Sequence, residues 1–534
     1  MLRHFLLALA TAALLIMAWP PRVSAPLSLV AFIPLLWAIR EIDYDKDFKG
    51  KKGWAVFRLS FVAFLIWNVA CSWWIYYAAA VGAVASSLFN ATAMALMMVL
   101  YYRGRKAIGP QRSLISLPAY WIAFEYFIQR WNLSWPWMNL GNVFAGAPDA
   151  VQWYEYTGTL GGTLWIWTVN IVLYAWLSDY KHHLRSLRLW MRLAARLLFF
   201  VLVPLALSLQ IGAQHTGFGE SADVVVVQPN VDPYTEKFNS DDVAQVKRIL
   251  AIADSVMDQD VDVILAPETA IPGGLMEGRL DHEPTIAVIR RWLQNYPNAQ
   301  FIIGASTYRI YDSAQEASET ARYNERGQYY WDSYNTALNI DTSENIRVYH
   351  KSQLVVGVEQ MPFRSTLEPL IGEIALDLGG TTGTLGKQPN RDVFPHPTKE
   401  ISVAPVICWE SVFGDYVTDY ANNGANFFGV ITNDGWWKDT DGYKQHFAYA
   451  KLRAIENRRS VARAANTGIS GFIDFKGNEL QRLGWDETGA LRQKVHLSSA
   501  KTFYQQHGDF IGRIAQALAV VFLLYLFVRL RVKP

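Results

Sequence analysis

The stretch VAPVICWES, residues 403–411, decides how the second half of this chain is read. An apolar run suited to a strand buried on both faces ends abruptly in Cys408, Trp409, Glu410 and Ser411. The next run, SVFGDYVTDYANNG (411–424), has helical periodicity, so the sulfur is expected at a strand-to-helix turn. A thiol there lies near the positive end of a helix dipole, which favours the attacking thiolate. The 534 residues hold two cysteines, too few for a disulfide framework. The other, Cys71, lies in SFVAFLIWNVACSWWIYYAAA (60–80) and reads as a small core-filling residue.

Around this turn, strands and helices alternate. β-branched runs occur at 223–230, 261–269, 300–307, 334–340, 401–408 and 425–434. Helical patterns lie between them, at 241–259, 284–296, 411–424 and 444–459. Alternation of this kind predicts sheets covered by helices, an α/β domain over 214–507. Three polar residues stand at strand ends, where α/β sites gather: Glu268 after VILAP, Lys351 after IRVYH, and Cys408. Singly they read as a helix-start carboxylate, a solvated lysine and a buried thiol. Jointly they supply a base, a cation for an oxyanion and a nucleophile. His350, His446 and His396 remain rival partners for the sulfur, although strand alternation turns His350 away from the face that holds Lys351. No His and Cys spacing suits a metal, and LGGTTGTLG (378–386) lacks a P-loop lysine.

Before residue 214 the chain is built for lipid. Apolar segments recur at about 5–19, 26–40, 56–79, 81–102, 114–130, 158–178 and 192–212, with another at 510–528. Most approach the roughly 20 residues that cross about 30 Å of hydrocarbon, so eight spans are expected. Trp and Tyr crowd their ends, as in WNVACSWWIYY (67–77). Lys46, Lys49, Lys51 and Lys52 follow the second span, and Arg103, Arg105, Lys106 and Arg112 the fourth. Lys181, Arg185 and Arg188 follow the sixth, and Arg529, Arg531 and Lys533 the eighth. By the positive-inside rule, even spans end in the cytoplasm and the segment between spans seven and eight lies outside it. The expected division is 1–213 with seven helices, 214–507 outside the cytoplasm, and 508–534 as the eighth helix and a cytoplasmic tail. Glu125, in PAYWIAFEYFIQRW (118–131), is an acid within a span that faces protein or reaches water at its outer end. The aromatic loop WNLSWPWMNLGN (131–142), with Trp135 and Trp137, suits an interfacial segment touching lipid. A net charge of +2 and 18% charged residues argue against a nucleic-acid partner.

LAPETAIP (265–272), YHKSQLVVGVE (349–359), ICWES (407–411) and TNDGWW (432–437) stand in order between membrane helices. That set resembles the apolipoprotein N-acyltransferase family, over essentially the whole chain. Its outer domain resembles the carbon-nitrogen hydrolase (nitrilase) superfamily, which implies a four-layer αββα sandwich and a triad matching Glu268, Lys351 and Cys408. The resemblance also matches Glu359 and Glu410 to supporting acids, and Trp409 to an aromatic beside the nucleophile. Phe238, in QPNVDPYTEKF (228–238), stands where the family has tryptophan, and VGVE replaces Pro-Phe-Gly-Glu. Trp135, Trp137 and Glu125 join Trp409 and Phe238 as substrate-binding candidates.

The first apolar segment, MLRHFLLALATAALLIMAWPPRVSA (1–25), has the basic start, short apolar run and small-residue ending of a cleavable signal; the resemblance implies that it is retained as a helix, and implies a bacterial inner-membrane location with a periplasmic catalytic domain. No metal or other cofactor is expected. The resemblance also implies an acyl chain taken from a membrane glycerophospholipid, held as a Cys408 thioester, and passed to the amino group of a diacylglyceryl-modified apolipoprotein. A membrane-anchored amidase or nitrilase is the alternative enzyme, and a transporter with an outer binding domain the alternative class. Few ionisable residues within the spans, and no inverted repeat, count against the transporter.

Overall fold

A computed structural model describes residues 1–22, 24–178, 186–217, 219–343, 345–361 and 384–531. Lys181, Arg185, Lys533 and most of LGGTTGTLG lie outside the described residues. The chain divides into two compact units. Met1–Tyr76, Ala80–His215 and His507–Pro534 form the first, and Tyr77–Ala79 with Thr216–Gln506 the second.

The first unit is helical, and each of the eight expected apolar segments lies mostly in helix. Six helices among the described residues are long and apolar enough to cross a membrane: Ala25–Tyr44, Lys52–Ser72, Ala80–Ile108, Tyr154–Ser178, Leu187–Gln214 and Phe510–Arg529. Leu2–Ala18 has 17 residues and Ser116–Ile128 has 13. At 1.5 Å per residue the latter reaches only about 20 Å. It ends early because the Pro-containing loop beyond it folds back as 3₁₀ turns, Pro136–Met138 and Leu140–Gly146.

Glu125 fastens that loop. It is 1% exposed, and its Oε1 accepts from Trp121 Nε1 at 2.9 Å and from the Leu140 amide at 2.7 Å. Thr163 Oγ1, on the Tyr154–Ser178 helix, donates to its Oε2 at 2.7 Å. The side chain therefore faces protein, the first of the two expected surroundings, and does not reach water: protein donors satisfy it on each oxygen. A second polar clasp joins Asn170 to the Phe32 amide and the Ser28 carbonyl, each at 2.9 Å. Trp137 is buried, packed on Trp74 at 4.8 Å and stacked on half-buried Trp135 at 6.0 Å. Its ring fills the unit's interior and offers lipid no surface.

The second unit is a sandwich of two sheets. Strands β1 (Ser221–Gln228), β2 (Val263–Leu265), β3 (Ile271–Met276), β4 (Gln300–Tyr311), β5 (Arg322–Asn324), β6 (Tyr329–Ile340) and β7 (Arg347–His350) build the first sheet. Six more build the second: β8 (Phe394–Pro395), β9 (Ser402–Ile407), β10 (Phe427–Thr432), β11 (Val461–Ala465), β12 (Ser470–Ile473) and β13 (Glu479–Leu483). Finally β14 (Gly489–His496) returns to the first sheet, antiparallel to β1. Parallel pairings β1–β2, β2–β4, β9–β10 and β10–β11 form the two centres.

Because the central strands are apolar on successive positions, each sheet has two faces to bury. On one face of the first sheet, Val225, Ile264 and Phe301 pack against Val246, Ile249, Ile286 and Ile289 of helices Asp242–Ala253 and Pro284–Leu293. Burial of each such side chain contributes about 1.5–3 kcal/mol. Across the middle, β1 meets β11 and β12, and β6 meets β9. Helices Gly414–Asn422 and Asp441–Asn457 cover the second sheet, completing helix, sheet, sheet, helix. The expected α/β sandwich is present. Strands β11 to β14 were not expected, since VARAA, SGFI, ELQRL and GALRQKVH lack a β-branched run and gain their pairing from neighbours already in place.

Candidate active site

Cys408 leaves the end of β9 with φ of 49°, the left-handed region that a non-glycine residue enters only when its surroundings enforce it. Hydrogen bonds supply the enforcement. The Ile407 amide donates to Glu410 Oε2 at 2.9 Å, and Ser411 Oγ donates to the Cys408 carbonyl at 2.7 Å. A 3₁₀ turn, Cys408–Val412, follows, and the α-helix starts only at Gly414. This corrects the expected dipole activation, because the field of a helix end fades within one turn and the sulfur is six residues away.

Glu268 sits in the loop between β2 and β3. Pro267 accepts a 3.0 Å hydrogen bond from the Gly304 amide, and a Cβ at Gly304 would come within 2.5 Å of the Glu268 Cα. Only glycine lets the carboxylate-bearing loop lie this close to β4. Glu268 Oε1 accepts from Lys351 Nζ at 2.9 Å and from Asn335 Nδ2 at 2.7 Å, and Oε2 accepts from the Asn433 amide at 3.1 Å. Glu359 Oε1 accepts from the same two donors, Lys351 Nζ and Asn335 Nδ2, each at 2.9 Å. Lys351 is 1% exposed, which removes the solvated-lysine reading, and no helix starts at Glu268.

The charges of this cluster follow from its burial. Burial alone would raise the Glu268 carboxyl and lower the Lys351 ammonium. Their mutual attraction, with Glu359 on the lysine and Asn335 on the acid, reverses both, holding Glu268 below the usual carboxylate range and Lys351 well above the usual lysine range. Cys408 behaves differently. Burial, then the negative Glu268, push its thiol far up, against the opposing pull of Lys351. The resting site is thus carboxylate, ammonium and neutral thiol. Burial and the negative Glu268 disfavour the thiolate expected at the strand-to-helix turn.

Glu410 organises the wall behind Cys408. Its Oε1 accepts from Tyr349 and Tyr416 hydroxyls at 2.8 and 2.7 Å and from the Ser352 amide at 2.8 Å, while its Oε2 accepts from the Tyr420 hydroxyl at 3.0 Å. His446 lies near the sulfur but binds elsewhere. Its Nε2 is 3.1 Å from the Cys408 carbonyl, and its Nδ1 is 2.9 Å from both Asp434 Oδ1 and Arg463 NH2. Burial and Arg463 lower its pKa, against the opposing pull of Asp434. Cys408, Asp434 and His446 offer three ligand atoms within 4.8 Å of one another. The Arg463 guanidinium, 2.6 Å from Asp434 Oδ2, already supplies a cation there and would repel a metal ion. His350 pairs with Glu277 at 2.6 Å, and His396 with the Asn298 carbonyl at 2.7 Å.

The remaining candidates separate by exposure. Trp409 is buried and meets Phe413 edge-on at 6.0 Å, so it is wall rather than open surface. Phe238 is 60% exposed, 6.3 Å from Trp436, and lines a cleft of about 250 Å³ with Asp241, Asp242, Pro272 and Gly273. Sequence reading missed Asn335, Asn433 and Lys237, although each lies in a quoted run. Isolated amides and a lysine among acids carry no periodic signal. Glu125, Trp135 and Trp137 belong to the other unit.

Residues 224–505 match the family described as carbon-nitrogen hydrolase, and residues 11–172 match the apolipoprotein N-acyltransferase N-terminal domain. An apolipoprotein N-acyltransferase of Chlorobaculum tepidum is 26% identical over 96% of this chain and 94% of its own. Another, from Geobacter metallireducens, is 25% identical over 97% and 94%. Among solved structures, an amidase from Nesterenkonia sp. covers 55% of this chain and 95% of its own at 16% identity, with a TM-score of 0.37. With the hydrolase match spanning more than half of its residues, this membrane protein belongs to the carbon-nitrogen hydrolase family and carries that domain behind an apolipoprotein N-acyltransferase N-terminal domain.

Proposed function

We infer that the chain is an apolipoprotein N-acyltransferase, and that it moves a fatty acyl group from a membrane glycerophospholipid to the terminal amine of a diacylglyceryl-modified lipoprotein. One observation carries the reading: a constellation of buried Glu268, Lys351 and Cys408 with part-buried Glu359 shares its chain with the apolar helices of an acyltransferase N-terminal domain. Small polar amides need no membrane, whereas both lipid substrates are confined to one. A catalytic domain tethered at that surface meets them at high effective concentration.

In the first step Glu268 takes the Cys408 proton while Sγ attacks the ester carbonyl. Lys351 and a backbone amide hold the oxyanion. As the ester C–O bond breaks, Glu268 returns the proton to the leaving lysophospholipid oxygen. In the second step the lipoprotein amine attacks the thioester, Glu268 takes the amine proton, and the C–S bond breaks with the proton passing to sulfur. The catalytic unit faces outside the cytoplasm, the periplasm in a bacterial inner membrane, a reading supported by the Lys and Arg that follow alternate spans.

Incubation with labelled phospholipid is expected to leave a hydroxylamine-sensitive acyl group on the wild-type protein and none on Cys408→Ala. Label should then move to a diacylated lipopeptide amine. An equally labelled Cys408→Ala variant, or hydrolysis of simple amides without lipopeptide transfer, would overturn this reading, the second in favour of an amidase.

A further inference from the structure

Lys237 is a buried cation that the two-step scheme above does not use. It is 3% exposed, and its Nζ donates to the Glu268 carbonyl at 3.2 Å. It forms no ion pair among the described residues, an expensive state for a buried ammonium. The surrounding turn holds it firmly. Asp232 Oδ1 accepts from the Tyr234 and Thr235 amides at 2.7 and 2.9 Å, the Lys237 amide bonds the Asp232 carbonyl at 2.9 Å, and Gln245 Nε2 donates to the Lys237 carbonyl at 2.7 Å. Just upstream, Asn466 grips Val231 through both its amide and its carbonyl.

Charge counting shows what the cation is for. Glu268 and Glu359 bring two negative charges, and Lys351 bonds both, so it returns only one. Lys237 brings the cluster to neutrality. We propose that Lys237 is a positioning residue for the acyl transfer: its buried ammonium, acting on Glu268 and Cys408, offsets the negative charge that the sulfur and then the acyl oxygen acquire. This rests on the N-acyltransferase reading for its substrate but not for its effect on the thiol.

The titratable groups that act on Lys237 are Glu268 and Cys408; Glu268 in turn interacts with Lys351, which also bonds Glu359, and Cys408 with Lys351 and Asp434. Burial lowers the Lys237 ammonium to about 8, against the opposing pull of Glu268 and Cys408. Its charge is therefore present at neutral pH and is lost in mild alkali.

The test is alkylation of Cys408 by iodoacetamide in the full-length detergent-solubilised protein, read by peptide mass spectrometry across pH for wild type, Lys237→Met and Lys237→Arg. Lys237→Met is expected to slow alkylation at pH 7 by about tenfold or more, the effect of one pKa unit on the thiolate population, and to move its rise to higher pH. Lys237→Arg should stay close to wild type. In lipopeptide transfer, kcat should fall for Lys237→Met with KM for phospholipid unchanged. Three results overturn the proposal: Lys237→Met alkylating at the wild-type rate and pH profile, Lys237→Met alkylating faster, as a loosened domain would, or Lys237→Arg as slow as Lys237→Met. Iodoacetamide needs no lipid, so those results bear on Lys237 alone, whereas a wild-type protein that transfers no acyl group counts against the function.

Discussion

At Cys408 the positive φ and the raised thiol belong together. The elbow holds the sulfur in a strained left-handed turn, and burial favours its protonated form. Glu268→Gln removes the proton acceptor and leaves the shape, so single-turnover acyl-enzyme formation should fall by roughly 10²–10⁴-fold. The same pair carries a pH signature. Glu268 is depressed in the folded state, so its contribution is complete above the ordinary glutamate value near 4.3 and is lost as pH falls through its folded value. Lys351 is raised, so its contribution is complete below about 10.4 and is lost as pH rises further. Thermal unfolding followed across pH should show a plateau between these limits, with the acid shoulder flattened in Glu268→Gln. The sequence named this trio because three chemical types stood at strand ends. It could not show that Lys351 is shared between two acids, which depends on β6 and β7 placing Asn335 and Lys351 side by side.

Among elements, the two most constrained are each pinned by one buried glutamate. Glu410 ties the 3₁₀ turn after Cys408 to β7 and to helix Gly414–Asn422 through three tyrosine hydroxyls and the Ile407 and Ser352 amides. Burial and the negative Glu410 raise all three tyrosines, which therefore remain donors. Glu410→Ala strands these donors and should cost roughly 3–5 kcal/mol, seen as a lower Tm of the purified protein. Glu125→Leu orphans Trp121, Thr163 and the Leu140 amide, and should lower thermostability in detergent by about 1–3 kcal/mol for each donor left unpaired. Both acids looked alike in the sequence, polar residues in aromatic company. The donors that distinguish a fastener from a solvated acid come from other segments, 15 and 38 residues away for Glu125 in the cases of Leu140 and Thr163.

For the whole molecule, the arrangement of spans makes a directional statement that can be checked without activity. A cysteine placed by Glu316→Cys, on an exposed loop of the second unit, should react with an impermeant maleimide in intact spheroplasts. One placed by Lys106→Cys, in the basic end of helix Ala80–Ile108, should react only after permeabilisation. The opposite pattern would reverse the orientation and remove the enzyme from its proposed substrates.

Apolar length and the periodicity of strands and helices are local properties, so the membrane segments and the α/β class were determined by the sequence itself, which also nominated Glu268, Lys351 and Cys408 as candidates. Charge state and burial are not local. Whether Cys408 rests as a thiol, whether Glu125 meets water or a threonine, and that Lys237 stands beside the triad were decided only by tertiary structure. Each depends on the field and hydrogen bonds of groups brought together from distant parts of the chain, and those interactions decay over a few ångströms of space, whatever the separation in sequence.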